Sequence, residues 1–215
     1  TITMDSDKKI LYSDDCYWKL KSKIHSDDYA TTVSHCNYLI TDSIKRQMVS
    51  DIPICTFLSG GLDSSLVSSV VNRNLDGKKL NTYSFDFVGN DKNFKSNSFQ
   101  VSRDRPYVDI MKDFLGSNHT YLECNNENQI NCLFKAVDAR DMPCMADVES
   151  SMLYFCKLVS EKCRVTLTGE CADEIFGGYP WFHRSDMLNQ CTFPWSYDMD
   201  ARTYLFKDDF INQLN

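Results

Sequence analysis

No apolar run in this chain approaches the roughly 20 residues needed to cross a bilayer, and the polar opening Thr1-Ile2-Thr3-Met4-Asp5 does not read as a secretory leader. The expected setting is therefore the cytoplasm. Positive charge is scarce: 23 Lys and Arg stand against 30 Asp and Glu, giving a net charge of −7. The longest basic clusters, Lys19-Leu20-Lys21-Ser22-Lys23 and Lys45-Arg46, are too small for a nucleic-acid surface, which needs grouped cations. The ten cysteines form no C-x-x-C pair, which removes the usual zinc spacing. Several of them, Cys36, Cys55 and Cys156 among them, fall within apolar patterns and are expected to be reduced core thiols. Repeats and low-complexity tracts are also missing. What remains is a chain of 215 residues, 42% hydrophobic and 25% charged, long enough for one α/β domain with a sizeable core.

The stretch that organises this chain is Phe57-Leu58-Ser59-Gly60-Gly61-Leu62-Asp63-Ser64-Ser65. Before it, Ile54 to Leu58 is short and nearly all apolar, as a buried parallel strand would be. After it, Leu66, Val67, Val70 and Val71 recur at helical spacing, with Asp63 and Ser64 in the first turn. A strand, a tight glycine turn and a helix N-terminus aim backbone N–H groups and the positive end of a helix dipole at one spot. Gly60 and Gly61 permit close approach, and Ser59, Ser64 and Ser65 add hydroxyls. The result is an anion cradle. It lacks the lysine of a G-x-x-x-x-G-K-[ST] loop, and with an acid inside, Asp63, it suits a leaving pyrophosphate bound with Mg²⁺.

Around this unit the chain alternates helices and strands. Asp27 to Ser50 reads as a long helix with Val33, Cys36, Leu39, Ile40, Ile44, Met48 and Val49 on one face. Asn81 to Phe87 reads as a strand, residues 89–104 as a long polar loop including Asn97, Arg105 to Leu115 as a helix closed by Gly116, and His119 to Glu123 as a short strand. Residues 127–140 form an amphipathic helix through Ile130, Leu133, Phe134 and Val137. A break over residues 141–147, Cys144 included, enters a helix over 148–163, and Val165 to Thr168 is the last clear strand. Such alternation predicts a doubly wound parallel sheet with helices on both faces.

The last strand opens into Thr168-Gly169-Glu170-Cys171-Ala172-Asp173-Glu174-Ile175-Phe176-Gly177-Gly178-Tyr179, which places three carboxylates within five residues. Ligands of open parallel sheets bind at the carboxyl ends of the strands where the strand order reverses. Asp63 and Asp173 can therefore reach one Mg²⁺ from opposite sides. Without a cation the crowded acids would raise one another's pKa.

Ser-Gly-Gly-x-Asp-Ser-Ser resembles the signature of the ATP pyrophosphatase (PP-loop) superfamily. Six specified positions, each of a type used at roughly 5–7%, coincide by chance in on the order of one in ten million windows. Together with Gly-Glu-Cys-Ala-Asp-Glu-Ile-Phe-Gly-Gly-Tyr, it resembles the synthetase domain of glutamine-dependent asparagine synthetase, class B. The similarity runs from about Tyr17 to Trp195, through Ser84-Phe85, Met145-Ala146-Asp147 and Trp181-Phe182-His183-Arg184. The resemblance implies the adenine nucleotide α-hydrolase-like fold, with ATP and Mg²⁺ as cofactors and aspartate and ammonia as substrates. ATP would activate the aspartate side-chain carboxylate as β-aspartyl-AMP, which ammonia then attacks. By position, it implies that Ser59, Gly60, Gly61, Asp63, Ser64 and Ser65 hold pyrophosphate. Leu58, Ser84, Phe85 and Gly169 would then lie by adenosine, Asp63 and Asp173 would bind Mg²⁺, and Glu170 would orient the intermediate and handle a proton.

Departures from the family pattern set further expectations. Members begin with a glutamine-hydrolysing cysteine, whereas this chain begins at Thr1, so the glutaminase domain is expected to be a separate polypeptide or removed. Members continue past the position of Asn215 with a helical segment bearing a catalytic lysine, so the chain is expected to be a fragment with little or no complete asparagine synthesis. Residues 1–26 are read as a polar, irregular lead-in, 27–185 as the ATP-binding synthetase domain, and 186–215 as the start of a truncated helical extension. Alternatives are a β-lactam synthetase-like ligase forming a lactam or amide on another carboxylate, and a non-catalytic nucleotide-binding fragment. His119 is read as structural rather than as a general base, because no acid is fixed near it in sequence. His183 is read as packed beside the site, Arg184 as a possible partner for a carboxylate or phosphate, and Cys191 to Trp195 as an exposed apolar patch.

Overall fold

The computed structural model describes residues 18–96, 100–143, 145–189 and 206–214, together with 2–4, 7, 10–12, 16, 191, 203 and 204. The chain divides into two compact units, Thr1–Ile40 and Thr41–Asn215. In the first, β1 (Ile2–Met4) pairs antiparallel with β2 (Ile10–Tyr12), Thr3 opposite Leu11. The lead-in is thus not irregular throughout, since three residues on each side suffice for a short hairpin ladder.

Helix α1 (Tyr29–Gln47) begins where Asp28 accepts the Thr31 N–H at 2.8 Å, a side-chain cap that replaces a missing helical partner. The boundary between the units falls inside this helix, at Ile40 and Thr41. Its expected apolar face is buried only in part: Ile44 is buried and Cys36, Ile40 and Met48 are intermediate, while Val33 and Leu39 are half exposed and Val49, beyond the helix, is exposed.

The second unit contains the parallel sheet, in spatial order β5-β4-β3-β6. It is built from β3 (Ile54–Phe57), β4 (Asn81–Phe87), β5 (Asn118–Cys124) and β6 (Val165–Leu167). Thr56 lies opposite both Thr82 and Leu167, and Ser84 opposite Tyr121. The chain moves outward from β3 to β4 and β5, then returns to the other side of β3 for β6. That reversal makes the doubly wound topology expected from the alternation of elements.

Strand alternation sorts the core to two faces. On one, Cys55, Phe57, Tyr83, Phe85 and Leu122 pack with Val159 and Cys163. Phe85 stacks at 4.5 Å on Phe155 of α6 (Ala146–Ser160). On the other, Leu58 packs with Val108 and Leu115 of α4 (Arg105–Leu115), with Met111 and Tyr121 against them. There too Thr56 Oγ1 lies 2.8 Å from Ser68 Oγ of α2 (Leu62–Arg73). Helix α4 starts with Pro106 in its first turn and closes at Gly116 in the left-handed region, the usual asymmetry of helix ends.

Helix α5 (Asn126–Arg140) is capped by Asn125, which accepts the Asn128 N–H at 2.8 Å. It is tied to α6 by a two-pronged Arg140–Glu149 ion pair with contacts from 2.6 to 3.0 Å. Its buried side is Cys132 and Ala136, not Ile130 and Phe134, which are exposed. The helical period located the element and half of its inward stripe, since the expected Leu133 and Val137 are intermediate beside Cys132 and Ala136. The polar loop after β4 contains one helical turn, α3 (Asn90–Asn93), entered through Gly89, and Asn97 lies outside the described residues. Among the described residues four cysteines are buried, Cys55, Cys124, Cys132 and Cys163, whereas Cys36 is intermediate and Cys156 is exposed, contrary to expectation. Cys144 lies outside the described residues. After β6 come α7 (Ala172–Phe176), a 3₁₀ turn (Pro180–Phe182), α8 (Ser185–Leu188) and α9 (Asp208–Leu214). Of the expected apolar patch, Cys191 is exposed and residues 192–195 lie outside the described residues. No helix among the described residues is long and apolar enough to cross a membrane.

Gly60 has φ +79°, and a Cβ there would lie 2.5 Å from Tyr107 Cβ and 2.6 Å from the Val108 backbone nitrogen. Gly77 has φ +80° and nothing within 4 Å. In urea unfolding, Gly60→Ala is expected to lose about 2–4 kcal/mol, left-handed strain plus overpacking, and Gly77→Ala only about 1 kcal/mol. Equal losses would show that the α4 contact contributes nothing.

Candidate active site

The turn after β3 is organised by its own hydroxyls. Ser64 Oγ lies 2.9 Å from Ser59 Oγ, accepts the Ser59 N–H at 3.2 Å and donates to the Gly61 carbonyl at 3.3 Å. Gly61 stands as the extended N-cap of α2 with no side-chain cap. The helix N-terminus therefore stays available to an anion. Ser65 Oγ is buried without a hydrogen-bond partner, a polar orphan of the kind that a bound ligand or water satisfies.

The turn after β6 approaches this loop directly. A Cβ on Gly169 would lie 2.8 Å from Asp63 Cβ and 2.9 Å from the Ser64 nitrogen. Only a residue without a side chain fits. Glu170 follows, then Cys171 with φ 68°, which turns the chain into α7 so that Asp173 falls in its first turn. Burial, and then the charge of Asp173, push the Asp63 carboxyl above its ordinary range. The charge of Asp173 thus reaches Asp63 across the gap between motifs 110 residues apart.

Both turns open on one cavity of about 500 Å³, within the usual size of small-molecule sites. Of the residues singled out in the sequence, Leu58, Ser59, Gly61, Asp63, Ser64, Ser84, Phe85, Gly169, Glu170 and Asp173 line it. Gly60 and Ser65 do not: Gly60 is pressed against α4, and the Ser65 hydroxyl is buried. Arg184 pairs instead with Asp186 at 2.6 Å, and neither it nor His183 belongs to the cavity wall.

Several wall residues carried no sequence motif. Asp86, at the end of β4, accepts from Asn90 Nδ2 at 2.6 Å. Asp104, just before α4, has its carboxyl raised by burial and by Asp86. The Arg105 guanidinium lies 3.3 Å from the centroid of the Tyr121 ring, and the Tyr121 hydroxyl donates to Asp109. Within the second motif, Tyr179 donates to Glu174 at 2.9 Å. The signal that could have found Asp86 is positional: it lies toward the carboxyl end of β4, the direct neighbour of β3, on whose other side the chain returns for β6.

The asparagine synthase family pattern matches residues 35–215. The chain belongs to the asparagine synthase family. It is similar to glutamine-hydrolysing asparagine synthetase 3 of Bacillus subtilis, 42% identical over 202 residues that cover 93% of this chain and 33% of that protein. It is similar to the putative glutamine-hydrolysing asparagine synthetase 2 of Methanocaldococcus jannaschii, 31% identical over 167 residues, 76% of this chain and 30% of that protein. With glutamine-hydrolysing asparagine synthetase 2 of Oryza sativa it shares 32% identity over 154 residues, 66% and 24% of the two chains. The chain spans about a third or less of the length of those relatives.

The repulsion between Asp63 and Asp173 has a pH signature. The Asp63 carboxyl is raised in the folded state, so folding disfavours its charged form and stability falls as pH rises through that folded value. In buffer free of divalent cations, Asp173→Asn is expected to raise Tm at about pH 7.5 and to leave it unchanged near pH 3, where the raised Asp63 carboxyl is protonated and carries no charge to repel. An unchanged Tm at the higher pH would remove the electrostatic coupling.

Proposed function

We propose that this chain binds ATP with Mg²⁺ and is the synthetase part of an amide-forming ligase that activates the side-chain carboxylate of aspartate for attack by ammonia. The observation that carries the reading is the contact of Gly169 with Asp63 and Ser64, which brings the lysine-free anion loop and the acidic turn to one cavity. No group of three or more His, Cys, Asp or Glu side chains among the described residues makes a ready metal cage. Two facing aspartates nevertheless fit magnesium, which keeps waters and shares one or two carboxylates with substrate phosphates. Bound there, the ion would neutralise charge that builds on departing pyrophosphate.

The residues divide the work by chemistry. Ser59, Ser64 and the amides at the start of α2 offer hydrogen bonds to the β- and γ-phosphates, so the leaving group is held by donors already in place. An aspartate carboxylate oxygen attacks the α-phosphorus as the bond to pyrophosphate breaks, giving β-aspartyl-AMP. Ammonia then adds to the acyl carbon, AMP departs, and the nitrogen gives up a proton, for which Glu170 is the carboxylate of the cavity that we assign as acceptor. Leu58, Ser84 and Phe85 border the nucleoside. Little covalent chemistry falls to the protein, and positioning supplies most of the rate. The same reading places the protein in the cytoplasm.

Calorimetry with ATP and Mg²⁺ tests the binding step. Asp63→Asn and Asp173→Asn are each expected to weaken ATP–Mg²⁺ by roughly tenfold or more, about 1.4 kcal/mol. Equal affinity in the wild type and both variants would withdraw the metal assignment. Exchange of labelled pyrophosphate into ATP, compared among aspartate, glutamate and other carboxylates, tests the substrate. Exchange driven by another acid and not by aspartate would replace it.

A further inference from the structure

His119 of β5 lies behind the cavity wall rather than in it, yet both its ring nitrogens are engaged. Nδ1 is 2.7 Å from Thr82 Oγ1, and Nε2 is 2.9 Å from Ser84 Oγ. Sheet geometry makes this span possible. Thr82 is the parallel-strand partner of His119, and Ser84, two residues along β4, points to the same face. The imidazole bridges the two hydroxyls and packs edge-on against Tyr121, centroids 4.3 Å apart. Thr82 Oγ1 is in turn 3.0 Å from Ser117 Oγ. A continuous row of hydrogen bonds therefore runs from Ser117 through Thr82 and His119 to Ser84, the one member that faces the cavity.

A neutral imidazole has one donor nitrogen and one acceptor, so the ring cannot treat its two neighbours alike. If Nε2 accepts, the Ser84 proton is held toward the ring and only lone pairs face the cavity. If Nε2 donates, the Ser84 proton is free to be given to a ligand. Burial, with Lys112 and Arg105 nearby and only Asp109 opposing them, pushes the His119 pKa down to about 4 and keeps the ring neutral near neutral pH.

We propose that His119 is a positioning residue that fixes whether Ser84 donates or accepts a hydrogen bond toward the nucleoside part of ATP. The proposal rests on the reading of the cavity as an ATP site. His119 touches no ligand; it acts through Ser84.

The test combines nitrogen-15 NMR of the histidine rings with ATP–Mg²⁺ titration, both on the full chain. His119 signals, assigned by their loss in His119→Gln, are expected to show one fixed neutral tautomer at pH 7, with the Nε2 resonance moving when ATP–Mg²⁺ is added. Ser84→Ala and His119→Leu are each expected to weaken ATP–Mg²⁺ by roughly three- to tenfold, the size of one hydrogen bond. The double variant is expected to be no weaker than the single ones. His119→Gln, which keeps a donor and an acceptor, is expected to recover part of the loss. A charged or tautomer-averaging ring at rest, or additive losses, overturns the proposal. Should His119→Leu fail to fold, the wild-type Nε2 response and His119→Gln decide it. Failure of the wild type to bind ATP–Mg²⁺ overturns the ATP reading itself, whereas wild-type binding with an unmoved Nε2 signal overturns the role of His119 alone.

Discussion

The near contact between Gly169 and the backbone of Asp63 and Ser64 is the constraint on which the rest of the molecule turns. Two short loops, each following a strand, meet because β3 and β6 are direct neighbours in the sheet. Neighbouring parallel strands end side by side, so whatever follows them is held within a few ångströms. A side chain at 169 would push the acidic turn away and separate the aspartates. The chemistry assigned to the cavity thus depends on a missing Cβ, and the missing Cβ is useful only because the strand order reverses there.

The two faces of the sheet serve different ends. One buries Cys55, Phe57, Tyr83 and Phe85 against α6, a dry layer in which Phe85 stacks on Phe155. The other mixes apolar packing of Leu58 against Val108 with a polar seam of Thr56, Ser68, Thr82, Ser84 and His119. Hydroxyl and imidazole groups tolerate burial because each finds a partner. The polar seam lies on the side of α2 and α4, beside the cavity, so buried groups can orient wall groups without meeting solvent.

Elements whose signal is local were legible in the sequence. The strand Asn81–Phe87 and the helix Arg105–Leu115 begin and end where composition and Gly116 indicated. The glycine loop was legible because its residue types answer to backbone geometry. Interior stripes were less so: Phe134 is as apolar as any core residue yet lies exposed on α5, while Cys132 and Ala136 face inward. Burial is decided by where α6 sits, which periodicity along one helix does not encode. The β1–β2 hairpin went unseen because three-residue strands carry almost no pattern. In the cavity, Asp86, Asp104, Arg105 and Tyr121 were missed for a related reason: they come from β4, the start of α4 and β5, and meet only once those elements pack together.

The pressure of Tyr107 and Val108 on Gly60 has a consequence for how this polypeptide can change over time. The identity of residue 60 is dictated by a stretch more than 40 positions downstream, so neither partner drifts alone. Insertions that shift the opening turn of α4 would loosen the glycine loop without altering a letter of its motif. A variant catalogue built from motif matches would pass such a chain as intact.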